Sequence, residues 1–273
     1  MARIYPYFSE NLKIKKELPT EFFLTNPGFL YGYGLFETIL IKNSKPRLID
    51  KHLQRLSSSA NTLKIPFDFN RNDIKKMIEN VVQINQVEDA RLNIYLTAKD
   101  IKDNNVVLLI VLKELPPKKD LDKAFALDIK KAFFPRTNLD SHKSMAYLKN
   151  ICEKRAAQDF DDVILYDHEK NILETTSANI FFIKGKTVIT PQSKVILPGI
   201  ARNFVINNLA KLDLTIQERK VHLTELADFE EVFLTNSLRG VIKVKNIKGY
   251  PRLSSGSITK EISFLFQSSA PSA

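Results

Sequence analysis

The stretch "YGYGLFETILIKNSKPRLI" runs from Tyr31 to Ile49. Its glycines resemble a dinucleotide-binding turn, but that motif needs G-x-G-x-x-G leaving a strand and opening a helix. Here Gly32 and Gly34 lead into "LFETILI", an apolar, β-branched run that reads as a strand. A Rossmann reading fails on that point. The stretch instead predicts two strands around a turn at Asn43-Ser44. The helix "DKHLQRLSSSANTLKI" follows, with Asp50 as its expected N-cap. Leu53, Leu56, Ala60 and Leu63 recur on one face of it.

The same pattern continues downstream. "DFNRNDIKKMIENVVQIN" reads as a second amphipathic helix, and "ARLNIYLTA" and "VVLLIVLKE" as strands. "KELPPKKDLD" (Lys113 to Asp122) then sets two prolines among charges, the composition of a linker. This predicts a small α/β domain over residues 1–115, a linker at 116–122 and a larger domain over 123–273. The second part opens with strand "FALDIKKAFFP". Helix "AYLKNICEKRAAQDF" follows, with Leu148, Ile151 and Ala156 expected to face inward. "DVILYD", "NIFFIKG", "KTVITP", "EEVFLTNS" and "GVIKVKNI" read as strands, "GIARNFVINNLAKL" as a helix, and "FQSSAPSA" as a frayed tail. The fold class is α/β with many antiparallel hairpins, without the strand–helix alternation of a doubly wound sheet.

Composition narrows the function. The 273 residues are 44% hydrophobic, enough for sizeable cores. Lys plus Arg is 41 against 31 Asp plus Glu, a net +10 that favours anionic ligands. The basic residues are scattered rather than blocked, which argues against nucleic acid. One cysteine, Cys152, allows neither a disulfide framework nor a cysteine-based zinc site. Four histidines make a histidine-rich metal site improbable, and no metal is expected. "MARIYPYFSE" lacks the apolar core of a secretory signal, and no apolar run reaches the roughly 18 residues of a membrane span. A cytoplasmic location is expected.

Five separated segments carry polar groups suited to chemistry. In "SHKSMAYLKN", Lys143 precedes a helix, where it could serve as a Schiff-base amine; Lys149 reads as a solvated helix lysine. In "NILETTSANIFFI", Glu174 sits between apolar strands. "ILPGIARNF" places Pro-Gly before a helix whose first N–H groups can cradle a phosphate. "VFLTNSLRGVIKV" puts Thr235, Asn236 and Ser237 at a strand end, and "HLQRLSSSA" sets Arg55 one helical turn from His52.

In this order and spacing the segments resemble the class IV aminotransferase family, fold-type IV enzymes that use pyridoxal 5'-phosphate (PLP). "GYGLFETI", "HLQRLSSSANTL", "RTNLDSHKSMAYL", "ILETTSANIFFI", "ILPGIARN" and "EVFLTNSLRGV" carry the likeness, from about Tyr31 to Val244. The resemblance implies a small α/β domain and a larger pseudo-barrel domain, the cofactor lying between them, in a homodimer. It implies that Lys143 forms the imine and shuttles the proton, and that Glu174 pairs with the pyridine nitrogen. It further implies that Arg55, the backbone of Ile200 and Ala201, and the Ser237 hydroxyl hold the phosphate, and that Tyr147 contacts the phenolic oxygen. The chain departs from the family at Tyr33, where an acid is usual, at Ala201, where a threonine is usual, and at "YLTAKD", where many relatives carry Arg-Gly.

Within the family, reprotonation on the cofactor gives transamination, and loss of a leaving group gives elimination. Thr38 in "FET" and the segment "TNSLRG" resemble aminodeoxychorismate lyases, which release pyruvate to form 4-aminobenzoate, a folate precursor. Arg239 and Asn236 are candidates for binding a small anionic substrate. An amino-acid aminotransferase (branched-chain or D-amino acid) using 2-oxoglutarate is the alternative, and an inactive binding protein of the same fold the third.

Overall fold

The computed structural model describes residues 3–17, 19–100, 105–250, 253 and 256–269. They divide into two compact units. One holds the described residues up to Pro117 together with His142–Tyr147; the other holds Lys118–Ser141 and the described residues from Leu148 on.

The first unit begins with β1 (Phe8–Glu10), β2 (Lys13–Lys15) and the short helices α1 (Thr20–Thr25) and α2 (Pro27–Tyr31). It continues with β3 (Gly34–Lys42), β4 (Lys45–Pro46), α3 (Ile49–Thr62), α4 (Arg71–Ile84), β5 (Ala90–Ala98) and β6 (Val106–Lys113). The six strands form one antiparallel sheet in the order β2-β1-β6-β5-β3-β4. Asn43 and Ser44 take φ of 50° and 60°, the left-handed pair that suits a two-residue turn between right-twisted strands. Along β3, Leu35, Glu37, Ile39 and Ile41 are buried while Phe36, Thr38 and Leu40 are half-buried. Leu35, Ile39 and Ile41 join Leu53, Leu56 and Ala60 of α3 and Ile74, Ile78 and Val81 of α4 in one core. Each such large side chain contributes about 1.5–3 kcal/mol on burial. The cap of α3 differs from expectation. Leu48, at φ 53°, occupies the N-cap without a side-chain bond, and Asp50 lies in the first turn, paired with Lys75. There its charge complements the helix dipole rather than a backbone N–H.

The second unit comprises α5 (Lys118–Leu121), β7 (Phe125–Lys131), α6 (Leu148–Arg155), β8 (Asp162–Tyr166), β9 (Ile172–Thr175), β10 (Asn179–Lys184) and β11 (Thr187–Pro191). After these come α7 (Ile200–Asn208), β12 (Thr215–Arg219), β13 (Glu231–Asn236), β14 (Gly240–Ile247) and α8 (Ser257–Ser268). Eight strands form a mixed sheet, β12-β11-β10-β13-β14-β7-β8-β9. On one face Phe181 and Phe233 stack at 4.7 Å and pack with Val205, Leu209 and Ile262 of the helical layer. On the other, Phe182 stacks on Phe229 among Ile180, Val232 and Leu234.

Four expectations are corrected. Helix α6 starts at Leu148 rather than Ala146, and Leu148 (72% exposed) and Ile151 (48%) face outward. Ala156 lies beyond the helix and is exposed; Ala157 is the buried alanine. The helix is oriented by a polar contact instead: buried Glu153 accepts the Phe133 N–H at 2.7 Å. Lys149 is not a solvated lysine, since it pairs with the buried Asp140 carboxylate. At the other end, Phe266, expected in a frayed tail, is buried on α8; residues 270–273 of that tail lie outside the described residues. Finally, α5 forms inside the expected 116–122 linker, and residues 142–147 group with the first unit rather than with 123–273. Among the described residues no helix is long and apolar enough to cross a membrane.

Candidate functional site

In the first unit, residues 142–147 lie along β3. The Phe36 N–H donates to the Lys143 carbonyl at 2.9 Å, the Met145 N–H donates to the Gly34 carbonyl at 2.8 Å, and Ser144 bridges Leu35. Lys143 is therefore held by strand pairing, not at a helix start as its sequence neighbours suggest. Its ammonium sits 4.3 Å from the centre of the Phe36 ring, a cation–π contact that fixes its direction. Tyr147 meets the same ring edge-on at 5.9 Å. Thr38 is two residues along β3 from Phe36, so its hydroxyl shares that face. It accepts a hydrogen bond from the Asn93 amide at 3.0 Å.

Glu37 points to the opposite face, toward α3. Its carboxylate accepts from Arg55 Nε (2.8 Å), Arg55 Nη2 (2.6 Å) and His52 Nδ1 (2.7 Å). Burial would raise its pKa, but the Arg55 guanidinium and the His52 contacts outweigh that and hold it at about 2. Burial pushes the His52 pKa down despite Glu37, with Arg55 and Lys143 adding to the fall, so His52 is neutral and carries its proton on Nδ1. Arg55, the expected phosphate ligand, thus has one edge of its fork fixed on Glu37. That rigid support was not read from the sequence, although His52 and Arg55 share a helix face and Glu37 is named in "FET".

In the second unit, Glu174 is the penultimate residue of β9 and is 6% exposed. Its Oε2 accepts from Asn179 Nδ2 at 3.1 Å and from the Leu197 N–H at 3.2 Å; Arg136 Nη1 lies 3.5 Å from Oε1. The loop between Glu174 and Asn179 is pinned by the fully buried Asp162, whose carboxylate accepts from the hydroxyls of Thr175, Thr176 and Ser177 and the Thr176 N–H. Asn179 also donates to the Leu197 carbonyl at 2.9 Å. Gly199, the N-cap of α7, approaches it so closely that a Cβ there would fall 2.0 Å from Asn179 Oδ1. Glu174 and the first turn of α7, Ile200 and Ala201, are thereby held in register through one amide. Asn179 pairs across the ladder with Thr235, whose buried hydroxyl has no partner among the described residues.

The hairpin after β13 is arranged differently from expectation. Asn236 Oδ1 accepts the Leu238 and Arg239 N–H groups at 3.2 and 2.9 Å, which forms the turn and presents Ser237, half-buried, at its tip. Arg239 does not face open solvent. Its Nε donates to the Leu121 carbonyl at 3.0 Å, its Nη2 to the Asp120 and Lys123 carbonyls, and its guanidinium lies 4.4 Å over Phe125. These bonds make it a strut between the hairpin and α5.

The second unit fits the phosphorylated pyridine that the resemblance implies. It offers a buried carboxylate, a helix start whose leading N–H groups lack intrahelical acceptors, and a buried hydroxyl at Thr235 with no partner among the described residues. Arg136 Nη2 is likewise buried without a partner among the described residues. Loss of the threonine hydroxyl at Ala201 removes no backbone donor. Among the described residues no group of three or more His, Cys, Asp or Glu is placed to hold a metal ion.

The amino-transferase class IV profile matches residues 34–247, and the chain belongs to that family. It is 28% identical over 234 residues to the aminodeoxychorismate lyase of Bacillus subtilis (strain 168), covering 81% of this chain and 80% of that protein. It is 29% identical over 231 residues to a "Probable branched-chain-amino-acid aminotransferase" of Rickettsia felis, covering 80% and 77%. In structure it matches a Legionella pneumophila protein provisionally named 4-amino-4-deoxychorismate lyase, with a TM-score of 0.84, 27% identity, and 92% and 96% of the two chains covered.

Proposed function

We infer that this chain is a PLP-dependent enzyme and, within its family, an aminodeoxychorismate lyase of folate biosynthesis. The observation that carries the cofactor reading is Glu174, a buried carboxylate fixed by Asn179 and the Leu197 N–H beside the start of α7. Its charge would keep a pyridine nitrogen protonated, and the Ile200 and Ala201 N–H groups with Ser237 and Arg55 would hold the phosphate. When bound, the cofactor supplies an electron sink for the carbon next to the substrate nitrogen. Lys143 would link to it covalently and then move the proton; Phe36 lies against that amine, and Tyr147, which packs edge-on against Phe36, would contact the phenolic oxygen. The lyase reading is supported by Thr38 on the Lys143 face of β3 and by the Bacillus relative. The Rickettsia relative supports the aminotransferase reading instead. Each unit carries exposed apolar side chains, Phe29 and Tyr31 in the first and Phe133 and Leu148 in the second, which suits a homodimer. The substrate is a small anion, in keeping with the net +10, and the location is the cytoplasm.

The test has two parts. Purified protein with PLP should show a visible absorbance band that borohydride removes and that Lys143→Ala lacks. A protein that forms no such band would refute the cofactor assignment. Given aminodeoxychorismate, it should release pyruvate. Amino transfer to 2-oxoglutarate without pyruvate would refute the lyase and establish the alternative.

A further inference from the structure

Asn93 is fully buried on β5, directly across the ladder from Thr38. Its Nδ2 donates to the Glu37 carbonyl at 3.1 Å and to the Thr38 hydroxyl oxygen at 3.0 Å. A backbone carbonyl can only accept, so the nitrogen end of this amide must lie there and its orientation is settled. Thr38 consequently receives a hydrogen bond on Oγ1. Its own proton must point away from Asn93, and the face it occupies is the one that carries Phe36 and the Lys143 ammonium. Meanwhile Asn93 Oδ1 is buried with no partner among the described residues. A leucine would fill similar space without burying an unsatisfied carbonyl, so packing does not account for an amide here. What the amide does is set the polarity of one hydroxyl.

We propose that Asn93 is a positioning residue that makes Thr38 a one-way hydrogen-bond donor toward an acceptor atom of the substrate. This rests on the placement of Thr38 at the reacting face and extends it. With its proton directed away from Asn93, Thr38 offers a donor to a substrate oxygen or nitrogen that bears a lone pair. Asn93 touches no substrate itself and acts through Thr38 alone.

Two measurements decide this, one of which needs neither turnover nor cofactor. Threonine-labelled protein, with and without PLP, should show Thr38 in a single χ1 rotamer by three-bond couplings, and Asn93→Leu should spread it over at least two. An unchanged rotamer in Asn93→Leu overturns the proposal. Asn93→Val serves where the leucine variant folds poorly, because valine is equally at home in a strand and equally unable to donate. In the holoenzyme, Asn93→Leu should keep the borohydride-sensitive band and lower kcat about tenfold with little change in KM, the scale of one lost hydrogen bond. In a Thr38→Val background the same change should add less than twofold. An equal loss in both backgrounds means that Asn93 does not act through Thr38 and overturns the proposal. Absence of the band in the parent protein counts against the cofactor assignment and leaves the rotamer result to decide this one.

Discussion

Replacing Glu37 by glutamine should destabilise the protein at neutral pH and do so markedly less in acid. Glu37 is 1% exposed, and its carboxylate accepts three charge-assisted or buried hydrogen bonds, two from Arg55 and one from His52. Burial works against its charge, yet Arg55 and His52 bring the pKa from 4.5 to about 2. At about 1.4 kcal/mol per tenfold change in proton affinity, that depression is worth about 3 kcal/mol. Because the folded pKa is the lower one, this stability is fully present above pH 4.5. It drains away as pH falls through 2, below which both states bind the proton. Glu37→Gln removes the charge outright and leaves the Arg55 guanidinium, 9% exposed, without that counter-ion. The loss at pH 7 should therefore be about 3–5 kcal/mol. Urea unfolding followed by circular dichroism at pH 7 and pH 3 measures it. The wild-type advantage should be several kcal/mol at pH 7 and shrink markedly by pH 3. A variant within 1 kcal/mol of wild type at pH 7, or a gap that is the same at both pH values, would refute the argument.

Gly199→Ala should displace Asn179, since the new Cβ would meet its Oδ1 at 2.0 Å; PLP affinity by absorbance titration should fall at least tenfold, with about 1–3 kcal/mol of stability lost. Asp162→Ala strands three hydroxyls and an N–H in the loop from Glu174 to Asn179, so chemical denaturation should show a loss of about 3 kcal/mol and the cofactor should bind weakly. Gly240 combines φ of 68° with a Cβ position 2.6 Å from the Phe266 ring, so Gly240→Ala should lower the melting temperature by several degrees, about 2 kcal/mol, without altering the bound cofactor's spectrum.

What could be read from the sequence depended on how far apart the interacting residues lie. The β3–β4 turn and the inward face of α3 were legible because they arise within a few residues: Asn43-Ser44 permits the left-handed pair, and Leu53, Leu56 and Ala60 recur at helical spacing. The orientation of α6 was not, because eight residues give a weak periodic signal and the deciding contact is Glu153 with the Phe133 N–H, across a loop. Glu174 and Lys143 stood out only through the joint order of several segments, since locally each is an ordinary charged residue. Asn93, Asp162 and Asn179 escaped notice for a related reason. Asn93 meets Thr38 across 55 positions, and no local pattern distinguishes a strand asparagine that orients a hydroxyl from one that does not.

The excursion of residues 142–147 into the first unit has a consequence for how the molecule is made. A chain released from the ribosome as far as Pro117 has all six strands of its first sheet but not the segment that pairs with Phe36 and Gly34. That segment arrives only after β7 of the second unit has been synthesised. Domains that fold as they emerge generally finish in order from the N-terminus. Here the first unit must stay open along β3 while its neighbour is begun, so neither unit is a cassette that recombination could lift out whole. The lysine on which the proposed chemistry depends belongs to this late-delivered segment.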